Sequence, residues 1–504
     1  MTAHSSRDTF RAAYEAGKGA LVWRESPADL ETPVGVFLKL AHGQPHSFLL
    51  ESVEGGASRG RYSVIGMRPD LIWRCEKGRA ALNRDMLTAP EAFVPEEADA
   101  LESLRRLLAD RTLDLPPGMP PMAGGLFGYL GYDMVRLMER LPEKNADVLG
   151  IPEAILMRPT LFVIFDNVRD VMTFAAPAFP RQGVSADAAY AAAEARLDDA
   201  EAGLARVIPL PARATGAITL GEPRSNMSRD YFEDMVVRMK EYIAAGDAFQ
   251  VVPSQRLSVD FPLPPFALYR ALRRINPAPF LFFLDFGSFS VAGSSPEILV
   301  RLRDGMVTIR PLAGTRPRHA DPVEDQRLEA ELLSDPKELA EHLMLLDLGR
   351  NDVGRVAELG SVKVVESFAI ERFSHVMHIS STVQGRLRAG LTALDALMAG
   401  FPAGTLSGAP KVRAMEIIEE LEPVRRGLYG GCIGYFAADG TMDTCIGLRT
   451  AIIKDGVMHV QAGGGVVADS VPALEYEESR HKARALFRAA EEAVRFAETP
   501  RPQG

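Results

Sequence analysis

Four glutamates in two pairs have the spacing of a metal site. Glu475 and Glu478 lie three apart in PALEYEESRHKARAL, and Glu338 and Glu341 repeat the offset in DPKELAEHLMLLDLGRND, where His342 follows directly. Positions three apart on a helix are neighbours on one face. Two such helices facing each other would therefore build an oxygen-rich pocket suited to a hard divalent cation such as Mg2+. The triplet Gly463, Gly464 and Gly465 lies just before Glu475, and a glycine turn can offer backbone N–H groups to an anion. Glutamate pairs of this kind are also common on solvated helices, where they bring only solubility and salt bridges. Their meaning depends on the elements that hold them.

The triplet follows a predicted strand over 457–462 and leads, through Pro472, into a helix predicted from about 473. Earlier in the chain, the pattern predicts a helix over 6–17 and a strand in HSFLLESVEGG. RYSVIGMRPDLIWRCEKGRAAL reads as two strands parted by Arg68-Pro69-Asp70. A helix over 99–110, the proline cluster LPPGMPP, the β-rich runs GGLFGYLGYD, LFVIFDN and VMTFAA, and a helix over 185–207 follow. PLPARATGAITLGEPRSNM reads as a crossing at 209–225, which divides the chain into an N-terminal part, 1–215, and a C-terminal part, 226–495, that carries both glutamate pairs. Ser228 is a predicted N-cap for a helix with apolar positions at Tyr231, Met235, Val236, Met239 and Ile243. QVVPSQRLSVDF reads as a strand, FALYRALRRINP as a helix ended by Pro277, and PFLFFLDF, SFSVAGSSPEILVRL and MVTIRPLAG as strands. Strands succeed one another hairpin-fashion more often than they alternate with helices, so the expected fold is α+β with a large mixed or antiparallel sheet.

At 504 residues the chain exceeds one simple core. A net charge of -10 argues against nucleic acid or an anionic membrane as the main partner, although a local cluster of arginines can still meet a small anion. Cys75, Cys432 and Cys445 are odd in number and lack C-x-x-C spacing, which suggests neither a disulfide framework nor a zinc site. The N-terminus has no apolar signal core, and the greasiest run, FLFFLDFGSFSVAG, is broken by Asp285. The expected location is the cytoplasm.

Three familiar motifs fail on inspection. Gly463, Gly465 and Ala468 match G-x-G-x-x-A, but Pro472 stands where the helix should already run. GTLSGAPK, at 404–411, misses the phosphate-loop spacing and the hydroxyl after lysine, and its Ser407 is not in a nucleophile elbow. The segment does predict a tight turn feeding a helix after Pro410, with Thr405 and Ser407 near an end able to bind an anion.

Taken together, PLAGTRPR, KELAEHLMLLDLGRND, HVMHISSTVQG, GTLSGAPKVRAM and QAGGGVVADSVP with EESRHKAR resemble the chorismate-utilising enzymes, in order over 228–491. The closest resemblance is to the anthranilate synthase component I group, which LLES at 49–52 also fits. Two positions sort the branches. Ala313 in PLAGT replaces the lysine of the para-isomer branch, amino-deoxychorismate synthase component I. Gln250 replaces the lysine that activates water in isochorismate and salicylate synthases. A neutral amide is a poor base for water, so both positions fit ammonia and an ortho product.

The resemblance implies a sheet core flanked by helices, with the N-terminal part interleaved with the catalytic part at 226–495, and conversion of chorismate and ammonia to anthranilate and pyruvate, with Mg2+ as cofactor. Ammonia would come from glutamine through a separate amidotransferase subunit in a heterotetramer, since no cysteine here sits in a suitable turn. Glu341 and Glu478 match metal ligands, with Glu338 and Glu475 completing the acidic shell. Glu297 matches the general acid, expected to carry a raised pKa from surrounding carboxylates, and His378 matches a histidine of the pyruvate-elimination step. Thr405 joins this catalytic group, and Gly314, Thr315, Tyr429, Arg449 and Gly463 to Gly465 match the substrate pocket. The family's tryptophan inhibitor site matches at Glu51, Ser52 and Pro279, while Phe280 and Leu281 stand in place of the usual tyrosine and methionine. The remaining alternatives are the para-isomer branch and a catalytically silent tryptophan sensor.

Overall fold

A computed structural model describes residues 6–54, 58–110, 113–208, 218–373 and 375–498. The expected α+β architecture is what the chain forms, and the long strand Ala154–Asp166 shows how its layers arise. Ile155, Met157, Phe162 and Ile164 enter an inner apolar layer with Phe48, Phe127 and Ile433. Leu161, Val163 and Phe165 turn the other way, into a second layer. Successive side chains on a strand point to opposite faces. Both faces are therefore buried, which is why LFVIF reads as a continuous apolar run. The second layer is closed by Leu268 and Leu272 of helix Pro265–Ile275 and by Leu486 and Ala490 of helix Pro472–Glu498. A third is closed by Leu104 of Ala100–Ala109 and Leu397 of Ala393–Gly400. Sheet surfaces thus meet inside, and helices cover them outside.

The ladders that frame the site are antiparallel and join distant parts of the chain. Ser47–Glu54 lies between Ser58–Glu76 and Phe280–Asp285. Gly125–Leu130 lies between Ala154–Asp166 and Cys432–Ala437. Ser254–Asp260 pairs with Val457–Gly463, the strand that delivers the glycine turn.

Local expectations are met with some corrections. Arg68-Pro69-Asp70 does not end a strand. Ser58–Glu76 runs on for 19 residues, with a register shift between Pro69 and Leu71, so the proline is absorbed in a bulge. QVVPSQRLSVDF splits at Pro253, which has no N–H to give a ladder: Gln250–Val251 pairs with Gly408–Ala409, and only the second piece joins the main sheet. Residues 209–217 of the expected crossing lie outside the described residues, while Arg224–Ser225 pairs with Ser254–Asp260. Ser228 caps helix Arg229–Ala244, its hydroxyl accepting from the Tyr231 N–H at 3.2 Å. No described helix is long and apolar enough to cross a membrane.

Candidate active site

Both acidic pairs lie on helices, and the glycine turn brings the helices into one site. Helix Pro336–Gly354 starts at the Asp335 cap and carries Glu338 and Glu341. Helix Pro472–Glu498 carries Glu475 and Glu478. A Cβ placed on Gly464 would lie 3.1 Å from both Glu475 Oε2 and Glu478 Oε1, so the bare backbone lets both carboxylates close on the turn. A Cβ on Gly465 would strike Gln250 Nε2 at 2.2 Å, and that nitrogen donates to Glu341 Oε1 at 2.9 Å. Gly314 has φ +66° and lies under Glu338, whose Oε2 would be 3.2 Å from an added Cβ.

The electrostatics are those of a site short of positive charge. Burial raises the Glu341 carboxyl, the Gln250 bond opposes this, and the charges of Glu338 and Glu478 push it further up. Burial also raises Glu475, whose Oε2 is buried without a hydrogen-bond partner. Lys482 holds Glu478 at 2.7 Å, and Arg316 donates to Glu338 at 3.2 Å. The donors are hard oxygens, as a divalent cation such as Mg2+ requires. Among the described residues no three of them already stand as a closed ligand set. His342 belongs elsewhere: it is fully buried, bonded to the Ser381 hydroxyl at 2.7 Å and packed edge-on against Phe368.

The acid half adjoins through Gly314. His378, on strand Val376–Arg386, places Nδ1 2.9 Å from the Gly314 carbonyl and 3.0 Å from the Thr315 hydroxyl. Donation from Nδ1–H to that carbonyl leaves Nε2 as a buried acceptor without a partner. Burial, followed by the Arg449 charge, pushes the imidazole down to about 4, so it is neutral at physiological pH. Glu297 sits in the short gap between strands Phe289–Ser295 and Ile298–Arg303. It accepts from the Thr405 hydroxyl at 3.2 and 3.3 Å and from the Leu312 N–H at 3.4 Å. Its carboxyl is pushed up to about 8. The shift has the expected direction but a different cause: burial dominates, and Glu371, the carboxylate that contributes, adds least. The Arg449 guanidinium is lowered by its own burial and sustained by Glu297. Tyr429 is buried beside the Gly463 backbone, on the face of Arg426.

The inhibitor-matching residues form a separate group. Glu51 lies opposite Leu281 in the ladder, and its carboxylate accepts from Tyr269 Oη at 2.5 Å and from Arg273 at 2.6 and 2.9 Å. Ser52 stands over Gly60, where an added Cβ would meet its hydroxyl at 2.1 Å. Phe280 pairs with Ser295, two residues before Glu297, so this strand abuts the one leading to the acid.

Lys482, Arg316 and Arg426 were not expected in the site. Lys482 was legible as the i+4 partner of Glu478, whereas Arg316 and Arg426 become site residues only through contacts distant in sequence. Arg426 donates to Glu422, to the Val252 carbonyl at 2.6 Å and to the Leu406 carbonyl at 2.7 Å. It thereby ties the Gln250 and Thr405 segments together.

The chain belongs to the chorismate-binding enzymes, whose family model matches residues 47–488. Within it the chain belongs to the anthranilate synthase component I group. It is 57% identical over 493 residues to anthranilate synthase component 1 of Cereibacter sphaeroides, covering 98% of this chain and 99% of the relative. It is 51% identical to that of Pseudomonas putida, covering 92% and 94%. The crystal structure of anthranilate synthase component I from Streptococcus pneumoniae superposes with a TM-score of 0.73 at 34% identity, covering 92% of this chain and 98% of that one. The menaquinone-specific isochorismate synthase of Escherichia coli shares the fold at a TM-score of 0.70 and 20% identity, covering 96% of this chain and all of that one.

Proposed function

We propose that the chain converts chorismate and ammonia to anthranilate and pyruvate, as the large subunit of an anthranilate synthase. The observation that carries this reading is Glu297, a buried carboxyl held up to about 8 within hydrogen-bond reach of Thr405 and beside Arg449. A carboxylic acid still protonated at neutral pH can give its proton to a departing hydroxyl. Glu341 and Glu478 would hold Mg2+, with Glu338 and Glu475 around them, and the ion would anchor and polarise the ring carboxylate of chorismate. Arg449 suits a second carboxylate. Gly463 to Gly465, with Gly314 and Thr315, would complete the chorismate pocket. Gln250, an amide bonded to Glu341, leaves ammonia rather than activated water as the nucleophile. The neutral His378 offers Nε2 as the acceptor for the ring proton whose loss accompanies pyruvate release. Ala313 is buried and paired with Ile379, with no lysine to divert the reaction to the para product.

Ammonia would be supplied from glutamine by a separate amidotransferase subunit in a cytoplasmic heterotetramer. Tryptophan would inhibit at Glu51, Ser52, Pro279, Phe280 and Leu281, transmitting through the Phe280–Ser295 pairing toward Glu297. The test is to incubate the purified chain with chorismate, Mg2+ and ammonium, following anthranilate fluorescence and pyruvate. Equal amounts of both, with no turnover on glutamine, are expected. An aminated product without pyruvate would replace this reading with the para-isomer branch.

A further inference from the structure

Two motif residues have no part in the reaction as described: Lys411, the lysine of GTLSGAPK, and Asp352, the last residue of LGRND. They form a buried ion pair at 2.8 Å, with side chains 9% and 6% exposed, and Lys411 also donates to the Gly400 carbonyl at 3.3 Å. Burying such a pair is costly, so its position is informative. Asp352 lines a small cavity together with Glu297 and Thr405. The rest of that lining is apolar side chain and glycine, including Leu345, Leu348 and Gly404. A buried water needs two to four polar partners, and these three side chains are the polar ones the cavity offers. The charge of Arg355 reaches both members of the pair, and that of Glu139 reaches Lys411. Arg355 and Glu139 form an ion pair at 3.6 Å that is 50% and 30% exposed, which puts solvent within reach.

We propose that the Lys411–Asp352 pair returns to Glu297 the proton that it gives up in each turnover, through water held in the shared cavity. The inference rests on the reading of Glu297 as the acid. In the chemical step Glu297 releases its carboxyl proton to the departing hydroxyl, which leaves as water. The Glu297 carboxylate then takes a proton from a cavity water, and Asp352, which lines the cavity, passes to that water a proton from the Lys411 ammonium bonded to it at 2.8 Å. Solvent at the Arg355–Glu139 side recharges the lysine. Asp352 keeps the ammonium in place and connects it to the cavity. No electrons move between groups and no bond to carbon is made. The pair touches no substrate and acts only through Glu297.

The test uses the full chain and the double variant Lys411→Met with Asp352→Leu. Replacing a buried ion pair by apolar residues of similar volume is commonly tolerated, whereas removing one partner strands a charge. Wild-type turnover of chorismate with ammonium comes first, and its failure would overturn the acid reading and the relay together. With wild type active, the variant is pre-equilibrated near pH 6, where Glu297 is protonated, and mixed rapidly with substrates. The expected result is a first turnover at the wild-type rate followed by a steady state about tenfold slower or more, which recovers as formate or imidazole is added. A steady-state rate within about twofold of wild type per folded molecule would overturn the relay. So would first-turnover and steady-state rates that fall together without response to the added acid, the signature of a purely structural pair.

Discussion

At the scale of single residues, Glu297, as the proposed acid, would couple activity to stability. Its ordinary value of 4.5 is pushed up to about 8 in the folded chain, chiefly by burial. Between those values the folded state holds a proton that the unfolded state has released. The stability contributed by this group is therefore complete below about 4.5 and is lost as pH rises through about 8. Glu297→Gln removes that dependence, since the amide stays neutral. It should lower kcat by about 10²–10⁴-fold, while its melting temperature relative to wild type climbs between pH 5 and 9. Calorimetry across that range checks the sign, and a constant offset would refute it. Activity per free ammonia should fall above about pH 8 as Glu297 ionises, and below about pH 4 as His378 gains a proton. Referring the rate to free ammonia matters because that species itself increases with pH. A basic limb that stays at the same pH in Thr405→Val would show that the threonine hydroxyl does not tune the acid, since it now favours the charged form.

At the scale of elements, the glycine turn between strand Val457–Gly463 and helix Pro472–Glu498 lies against the carboxylates proposed to hold Mg2+, and its glycines should not behave alike. A methyl on Gly464 meets the flexible ends of Glu475 and Glu478 at 3.1 Å, a contact that side-chain movement can relieve. Gly464→Ala should fold with a nearly unchanged melting temperature, yet need roughly 10–100-fold more Mg2+ for half-maximal activity. A methyl on Gly463 meets the Pro253 carbonyl at 1.9 Å, and backbone cannot swing aside. Gly463→Ala should cost about 1–3 kcal/mol of stability, seen as a lower denaturant midpoint. Equal Mg2+ dependence in wild type and Gly464→Ala would separate the turn from the cation. The acidic pairs and the Ser228 cap were legible because helical spacing and capping are local properties. The bulge at Pro69 and the split at Pro253 were not, because whether a proline ends a strand depends on which partner lies beside it. The burial that raises Glu297 was hidden for the same reason: it shares a cavity with Leu345, Leu348, Gly400 and Ala403, which come from elsewhere in the chain.

At the scale of the whole molecule, the C-terminal part of the sheet depends on pairings that no linker composition reveals. Phe280–Asp285 has Ser47–Glu54 as a neighbour, and Cys432–Ala437 has Gly125–Leu130. The inner apolar layer mixes Phe48, Phe127 and Phe162 from the first part of the chain with Phe282, Ile433 and Ile452 from the second. A fragment containing only residues 218–504 would expose both strand edges and one side of that layer, and unpaired apolar edges promote aggregation. Expressed alone it should be insoluble, or lack a cooperative thermal transition. Co-expression with residues 1–217 should recover soluble material that melts as one unit, because the ladders can re-form between separate chains. The check is the soluble yield and melting curve of each combination beside the intact chain. A fragment that melts cooperatively by itself and turns over chorismate would mean that the N-terminal strands only decorate a self-sufficient catalytic core, and the route from Phe280 to Glu297 would then need no support from Ser47–Glu54.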